Sequence, residues 1–104
     1  MQRFIQYSDL KPEKVDDYIK LHAEPWQELL DLIRECNIHN YSISLRGSQV
    51  FTYFEYTGDD YDADVKKMEA SPVMQKWWTF SKPCFLHHED GWYYEPLNEV
   101  FYTE

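Results

Sequence analysis

Apolar and polar residues alternate along several short stretches of the chain, and this alternation predicts β-strands. Residues 3–8 form the first such stretch. Residues 39–46 and 50–57 alternate in the same way, and the glycine-containing segment between them predicts a hairpin loop. Residues 92–94 and 100–102 are rich in aromatic and β-branched side chains, so both stretches are β-prone, and the chain ends on the second of them.

The segment between the first two predicted strands, residues 12–36, has the spacing of an amphipathic helix. Its apolar side chains recur at steps of three and four residues: Val15, Tyr18, Ile19, Trp26, Leu29, Leu30 and Ile33. Pro12 suits a first helical turn. Pro25 lacks a backbone donor and its ring clashes with the preceding turn, so we expect a break close to His22.

A second helical region is expected to start near residues 59–61, where acidic side chains favour a helix N-terminus. Residues 71–72, Ser-Pro, interrupt this region, and residues 73–80 predict a further helix that carries Trp77 and Trp78. The complete order is strand, helix, strand, strand, helix, strand.

This order is typical of an α+β, ferredoxin-like domain of the dimeric α/β-barrel type, an antiparallel sheet with helices on one face. We assign residues 1–104 to a single domain. Because helices cover only one face of such a sheet, we expect a second copy of the chain to cover the other face. The predicted assembly is therefore a homodimer.

Charge restricts the partners of this domain. Ten Lys and Arg residues stand against 19 Asp and Glu residues, a formal net charge of −9. A chain this acidic has no basic cluster for nucleic acid and would be repelled by an anionic membrane surface. The apolar stretches are too short to span a bilayer, and the N-terminus lacks the apolar core of a signal peptide. Two cysteines, Cys36 and Cys84, are too few for a disulfide framework, which favours the cytoplasm.

The candidate chemistry centres on a histidine in the first helical region. Tyr18, His22 and Trp26 are spaced four residues apart and share one helix face, the face expected to be buried. Imidazole titrates near neutrality, so His22 is suited to give and take protons. The competing interpretation is an ordinary histidine of the core or of an interface.

Three other aromatic residues could line a site near this histidine. Trp77 and Trp78 lie about 100° apart on their helix, so one can pack in the core while the other lines a cleft. Tyr41 shares a strand face with apolar residues and its hydroxyl needs a partner, which a backbone group or a ligand hydroxyl could supply. The tract His87-His88-Glu89-Asp90 is not expected to bind a metal, and no motif for a cofactor is present.

Four short motifs in the same order resemble the L-rhamnose mutarotase family. They are Tyr18-x-x-x-His22-x-x-x-Trp26-x-Glu28-Leu29, His39-Asn40-Tyr41-Ser42-Ile43, Trp77-Trp78 and Glu99-Val100-Phe101-Tyr102. The resemblance extends over nearly the whole chain and implies the same ferredoxin-like fold. It also implies a cofactor-free exchange of the α and β anomers of a 6-deoxy-hexose, with His22 as proton donor and Tyr18, Tyr41, Trp77 and Trp78 in contact with the sugar.

The chain departs from the family pattern at two places. Family members commonly have proline directly after the tryptophan of the first helix, whereas Gln27 stands there and Pro25 precedes Trp26. The loop of residues 82–94 has no counterpart in the family pattern. Three alternatives therefore stay open: an L-fucose mutarotase, a haem-binding or monooxygenase-type protein of the same fold, and a sugar-binding module without turnover.

Overall fold

A computed structural model gives the structure of the chain, and it describes residues 1–88 and 93–104. Four strands form one antiparallel sheet in the order β2-β3-β1-β4: β1 Gln2–Asp9, β2 Ile38–Arg46, β3 Gln49–Tyr56 and β4 Tyr94–Leu97. The helices are α1 Val15–Ala23, α2 Gln27–Glu35, α3 Tyr61–Ala70 and α4 Pro72–Ser81, with 3-10 turns at Pro12–Lys14 and Lys82–Cys84. The predicted order of elements and the ferredoxin-like α+β fold are confirmed.

Prolines and a capping aspartate lie at the ends of the helical segments. Pro12 opens a 3-10 turn before α1, and the chain between α1 and α2 is non-helical around Pro25, so the predicted break is present. The Asp60 side chain accepts a hydrogen bond from the Ala63 backbone N–H at 3.1 Å and caps α3. Pro72 occupies the first turn of α4.

The core lies between the helices and one face of the sheet. Alternate residues of β3 are buried and face the helices: Val50, Thr52, Phe54 and Tyr56. Apolar residues of α2 and α4 pack on each other in a second cluster: Leu29, Leu32, Cys36, Met74 and Trp77. Cys36 and Cys84 are buried free thiols. Within the described part of the chain, no helix has the length and apolar content needed to cross a membrane.

The end of the chain differs from its sequence-based prediction. The last strand is Tyr94–Leu97, whereas Trp92 lies outside the described residues and residues 100–102 form no strand. The register that pairs Ile5 with Leu97 would place residue 100 opposite Gln2, where β1 begins, and leaves the residues beyond without a partner. Arg3 instead holds this segment through an ion pair with Glu99 at 2.6 Å.

Candidate active site

His22 lies in the last turn of α1, directly before the break that Pro25 causes. Its ring nitrogen Nδ1 is 2.8 Å from the backbone carbonyl oxygen of Tyr18. A carbonyl oxygen only accepts, so Nδ1 carries the proton and donates this hydrogen bond. In its neutral form the ring therefore carries its lone pair on Nε2, and the ring orientation is held by the backbone of its own helix.

Aromatic rings surround the imidazole. The Tyr18 ring lies 4.2 Å from the His22 ring, and the Trp77 ring meets it edge-on at 5.3 Å. Trp77 is buried and its other contact is an edge-on packing against Trp26 at 5.2 Å. No carboxylate pairs with His22 among residues 1–88 and 93–104. The structure thus brings together Tyr18, His22 and Trp77 in surroundings suited to a neutral ligand.

Tyr41 reaches the same side of the sheet because of a β-bulge. The pairing of β2 with β3 shifts between His39 and Ser42, and Asn40 in the bulge has a φ of 50°. The extra residue changes which side chains face the helices, so both Ile38 and Ile43 point inward. Tyr41 then stacks on the buried Phe54 ring at 5.7 Å.

The hydroxyls of Tyr18 and Tyr41 lie near enough to interact electrostatically, and both are held in the neutral form. Burial raises the pKa of Tyr18 far above its usual range, and the nearby charge of an ionised Tyr41 would add to this effect. Burial of the Tyr41 hydroxyl raises its pKa to about 12, although 47 % of the side chain as a whole is exposed. Both phenols therefore act as hydrogen-bonding groups at neutral pH, and neither supplies a phenolate base.

Trp78 points away from the histidine. The Lys82 ammonium lies 4.1 Å from the centre of the Trp78 ring, and both line a shallow surface recess of about 390 Å³. Phe85 also lines this recess and packs edge-on against Tyr18 at 5.4 Å, so one ring separates Trp78 from the histidine cluster. The 100° offset along the helix thus gives the two rings different neighbours: Trp77 contacts His22, whereas Trp78 packs against the edge of the core cluster and lines the recess.

Phe85 and two tyrosines near the site, Tyr61 and Tyr94, were absent from the sequence-based candidates. Burial raises the pKa of Tyr61, and the charge of an ionised Tyr94 would add to the rise. No periodic signal links these residues to His22, because they come from a loop, a helix start and the last strand. Of the tract considered as a metal site, Glu89 and Asp90 lie outside the described residues. In the described part of the chain no cluster of metal-ligating side chains occurs.

The fold and site together define a ferredoxin-like α+β domain that presents one histidine and several aromatic rings between its helices and sheet. The sequence profile of the L-rhamnose mutarotase family matches residues 3–103. The L-rhamnose mutarotase of Oceanobacillus iheyensis is 34 % identical over 96 residues, covering 89 % of each chain. That of Shouchella clausii is 32 % identical over 93 residues and covers 86 % of each chain. This chain belongs to the L-rhamnose mutarotase family and is an aldose mutarotase.

Solved structures agree on the fold. The L-rhamnose mutarotase of Formosa agariphila superposes with a TM-score of 0.81 at 24 % identity and covers all of both chains. The tetracenomycin F2 cyclase of Streptomyces glaucescens, a type-II polyketide cyclase, superposes with a TM-score of 0.67 at 17 % identity over all of this chain and 97 % of its own. Proteins with this backbone fold therefore have different functions, and the side chains of the site determine which reaction each one catalyses.

Proposed function

We propose that this protein interconverts the α and β anomers of L-rhamnose, with His22 as the residue that moves the proton. Membership of the L-rhamnose mutarotase family supports the substrate. The observation that carries the mechanism is the hydrogen bond from His22 Nδ1 to the Tyr18 carbonyl, which leaves Nε2 as the reactive nitrogen.

Anomer exchange requires one proton to leave the anomeric hydroxyl and one to reach the ring oxygen. Nε2 of neutral His22 accepts the hydroxyl proton, and the resulting hemiacetal anion forms the aldehyde as the bond from C1 to the ring oxygen breaks. The imidazolium then donates its Nε2 proton to the departing ring oxygen. Rotation about the C1–C2 bond and the reverse steps give the other anomer. Both oxygens are attached to C1, so one nitrogen can serve both.

The neighbouring side chains have supporting roles in this proposal. Tyr18 and Tyr41 stay protonated because burial raises the pKa of each, and they bond sugar hydroxyls. The Trp77 ring offers an apolar wall against which C–H groups of the sugar can pack. Trp78 would contact only a sugar that extends past Phe85 toward the surface recess.

The test is saturation transfer between the anomeric protons of L-rhamnose, measured by NMR with L-fucose in parallel. His22→Ala is expected to keep its circular dichroism and lose about 10²–10⁴-fold in kcat, the usual contribution of an acid–base group. His39→Ala, an exposed histidine on β2, is the control and should behave as the wild type. Undiminished exchange in His22→Ala would contradict the mechanism, and exchange of L-fucose alone would contradict the substrate.

We infer further that two copies of the chain associate through the sheet face that no helix covers. Apolar side chains lie on this face or near it, with Ile5 38 % and Leu97 43 % exposed. Val100 and Phe101 in the terminal segment are 94 % and 80 % exposed. Exposed apolar side chains on and near an uncovered sheet face are typical of an interface.

Light scattering after size exclusion tests this association. The wild type is expected to elute as a dimer. Ile5→Lys is expected to elute as a monomer, because in a dimer the lysine would be buried in the interface without an acidic partner. Ile19→Lys is the matched control, since Ile19 is 50 % exposed but lies on α1. A monomeric wild type, or equal effects of both lysines, would contradict the proposed interface.

A further inference from the structure

The tyrosines of this chain fall into groups according to what their hydroxyls contact. Three of the nine donate to a carboxylate: Tyr7 to Asp9, Tyr53 to Glu55 and Tyr56 to Asp64. The other six make no hydrogen bond through the hydroxyl to any residue in the described ranges. Of these, Tyr93 stacks on His87 and Tyr102 lies against the Arg3 guanidinium, and the remaining four are Tyr18, Tyr41, Tyr61 and Tyr94. Tyr41 and Tyr94 are 47 % and 54 % exposed, and the hydroxyl oxygens of Tyr18 and Tyr61 are not fully enclosed by protein, so all four can bond to water or to a ligand.

These last four tyrosines share one side of the sheet. Tyr41 and Tyr61 lie at the two ends of a stack of nearly parallel rings that runs Tyr61, Phe4, Phe54, Tyr41. Successive ring centres are 4.6, 5.0 and 5.7 Å apart, with interplanar angles of 16–17°. Phe54 is buried beneath the helices, so the stack forms a wall on the helix-facing side.

Tyr94 joins this wall from the other edge of the sheet. It pairs with Ser8 of β1, and Ser8 is a buried residue in register with Val50 of β3, which faces the helices. Directly paired residues lie on the same face of a sheet. Tyr94 is 54 % exposed, so its side chain stands at the open rim of this face. The ionised forms of Tyr61 and Tyr94 would both raise the pKa of Tyr41, as expected for neighbouring hydroxyls.

We propose that Tyr61 and Tyr94 are sugar-contact residues that hold the hydroxyl groups remote from the anomeric carbon. This inference rests on the proposed function. With His22 placed at the anomeric carbon, a pyranose ring seated between His22 and the aromatic wall directs its other hydroxyls toward Tyr41, Tyr61 and Tyr94. A phenol both donates and accepts, so three convergent phenols suit a ligand that carries several hydroxyls and no charge.

The test compares Tyr61→Phe and Tyr94→Phe with the wild type in anomer exchange of L-rhamnose. Each variant keeps its ring and loses one hydroxyl, so KM is expected to rise about 2- to 12-fold, the value of one neutral hydrogen bond. The kcat should stay within about 3-fold, because these contacts bind ground state and transition state alike. His22→Ala should show the opposite pattern, a loss in kcat.

Tyr53→Phe is the matched control. It removes one hydroxyl from the opposite face of the same sheet, where Tyr53 donates to Glu55 at 2.6 Å. Its KM is expected to equal that of the wild type. The thermal midpoints of Tyr61→Phe and Tyr94→Phe should match the wild type, since neither hydroxyl stabilises the fold.

The outcomes separate this inference from the function on which it rests. A wild type that exchanges L-rhamnose, with both variants equal to Tyr53→Phe in KM, overturns the contact role alone. If the wild type shows no exchange, binding of L-rhamnose is measured by NMR titration instead. Weaker binding by Tyr61→Phe and Tyr94→Phe than by the wild type would then support the contacts and overturn the proposed turnover. A wild type that neither exchanges nor binds L-rhamnose or L-fucose overturns both proposals.

Discussion

Replacing Tyr18 by phenylalanine separates the packing role of this side chain from its binding role. The ring contacts His22 at 4.2 Å and Phe85 at 5.4 Å, and phenylalanine preserves both contacts. The side chain is only 4 % exposed, yet its hydroxyl makes no hydrogen bond to a residue that the structure describes. The substitution therefore removes a polar atom that the fold does not use.

The substitution is expected to change activity more than stability. The Tyr18 hydroxyl oxygen is not fully enclosed by protein and can bond to water, so its removal should change the unfolding free energy by no more than about 1 kcal/mol. For a domain of this size, such a change shifts the thermal midpoint by at most about 4–8 °C. Loss of one hydrogen bond to the sugar should raise KM about 2- to 12-fold.

Guanidinium unfolding and anomer-exchange NMR on the same preparation measure the two effects. Tyr56→Phe is the control, because the Tyr56 hydroxyl donates to Asp64 and its removal should lower the unfolding free energy without raising KM. If Tyr18→Phe destabilises the protein as much as Tyr56→Phe does, or leaves KM unchanged, the assignment of the Tyr18 hydroxyl to the ligand is refuted.

Three further predictions concern the fold. Gly58→Ala should lower the unfolding free energy by about 1–3 kcal/mol, seen in guanidinium unfolding, because the added Cβ would lie against the Tyr56 hydroxyl and 2.8 Å from Asn37 Nδ2; an unchanged midpoint would refute this. Leu29→Ala, in the core at 4 % exposure, should cost about 2–5 kcal/mol in the same assay, and a smaller loss would mean that α2 repacks. Hydrogen bonds from Tyr56 and Asn37 lower the pKa of Asp64 below its ordinary value of 3.8. The ionised Asp64 carboxylate therefore contributes fully to the stability of the fold above pH 3.8, and this contribution is lost as the pH falls through the lowered pKa. Acid titration followed by circular dichroism should therefore show a shallower loss for Asp64→Asn, and parallel curves would contradict the coupling.

The sequence alone was sufficient for the features that depend on neighbours along the chain. Pro25 removes a donor within one helical turn, so the break between α1 and α2 follows from its own covalent structure. Alternation over eight residues determines the face of β3, and four-residue spacing determines that Tyr18 and His22 share a helix face. These are local geometric rules, and the fold class follows from their order.

Tertiary structure decided how the aromatic side chains are distributed. The bulge at Asn40 depends on pairing with β3 and changes which residues of β2 face the helices, so alternation alone misplaces Ile38. The terminal residues 100–102 have β-prone side chains, yet β1 begins at Gln2, opposite residue 100, and leaves residues 101 and 102 without a strand to pair with. A strand needs a partner for its backbone groups, whereas a helix satisfies them internally.

The candidate site shows the same division. Tyr18 and His22 could be paired from spacing because one helix carries both. Tyr61 and Tyr94 come from elements far apart in the chain, and only the sheet register and the stacked rings bring them to one wall. Which hydroxyls lack a protein partner depends on every element packed around them, because each potential carboxylate partner is positioned by a different part of the fold.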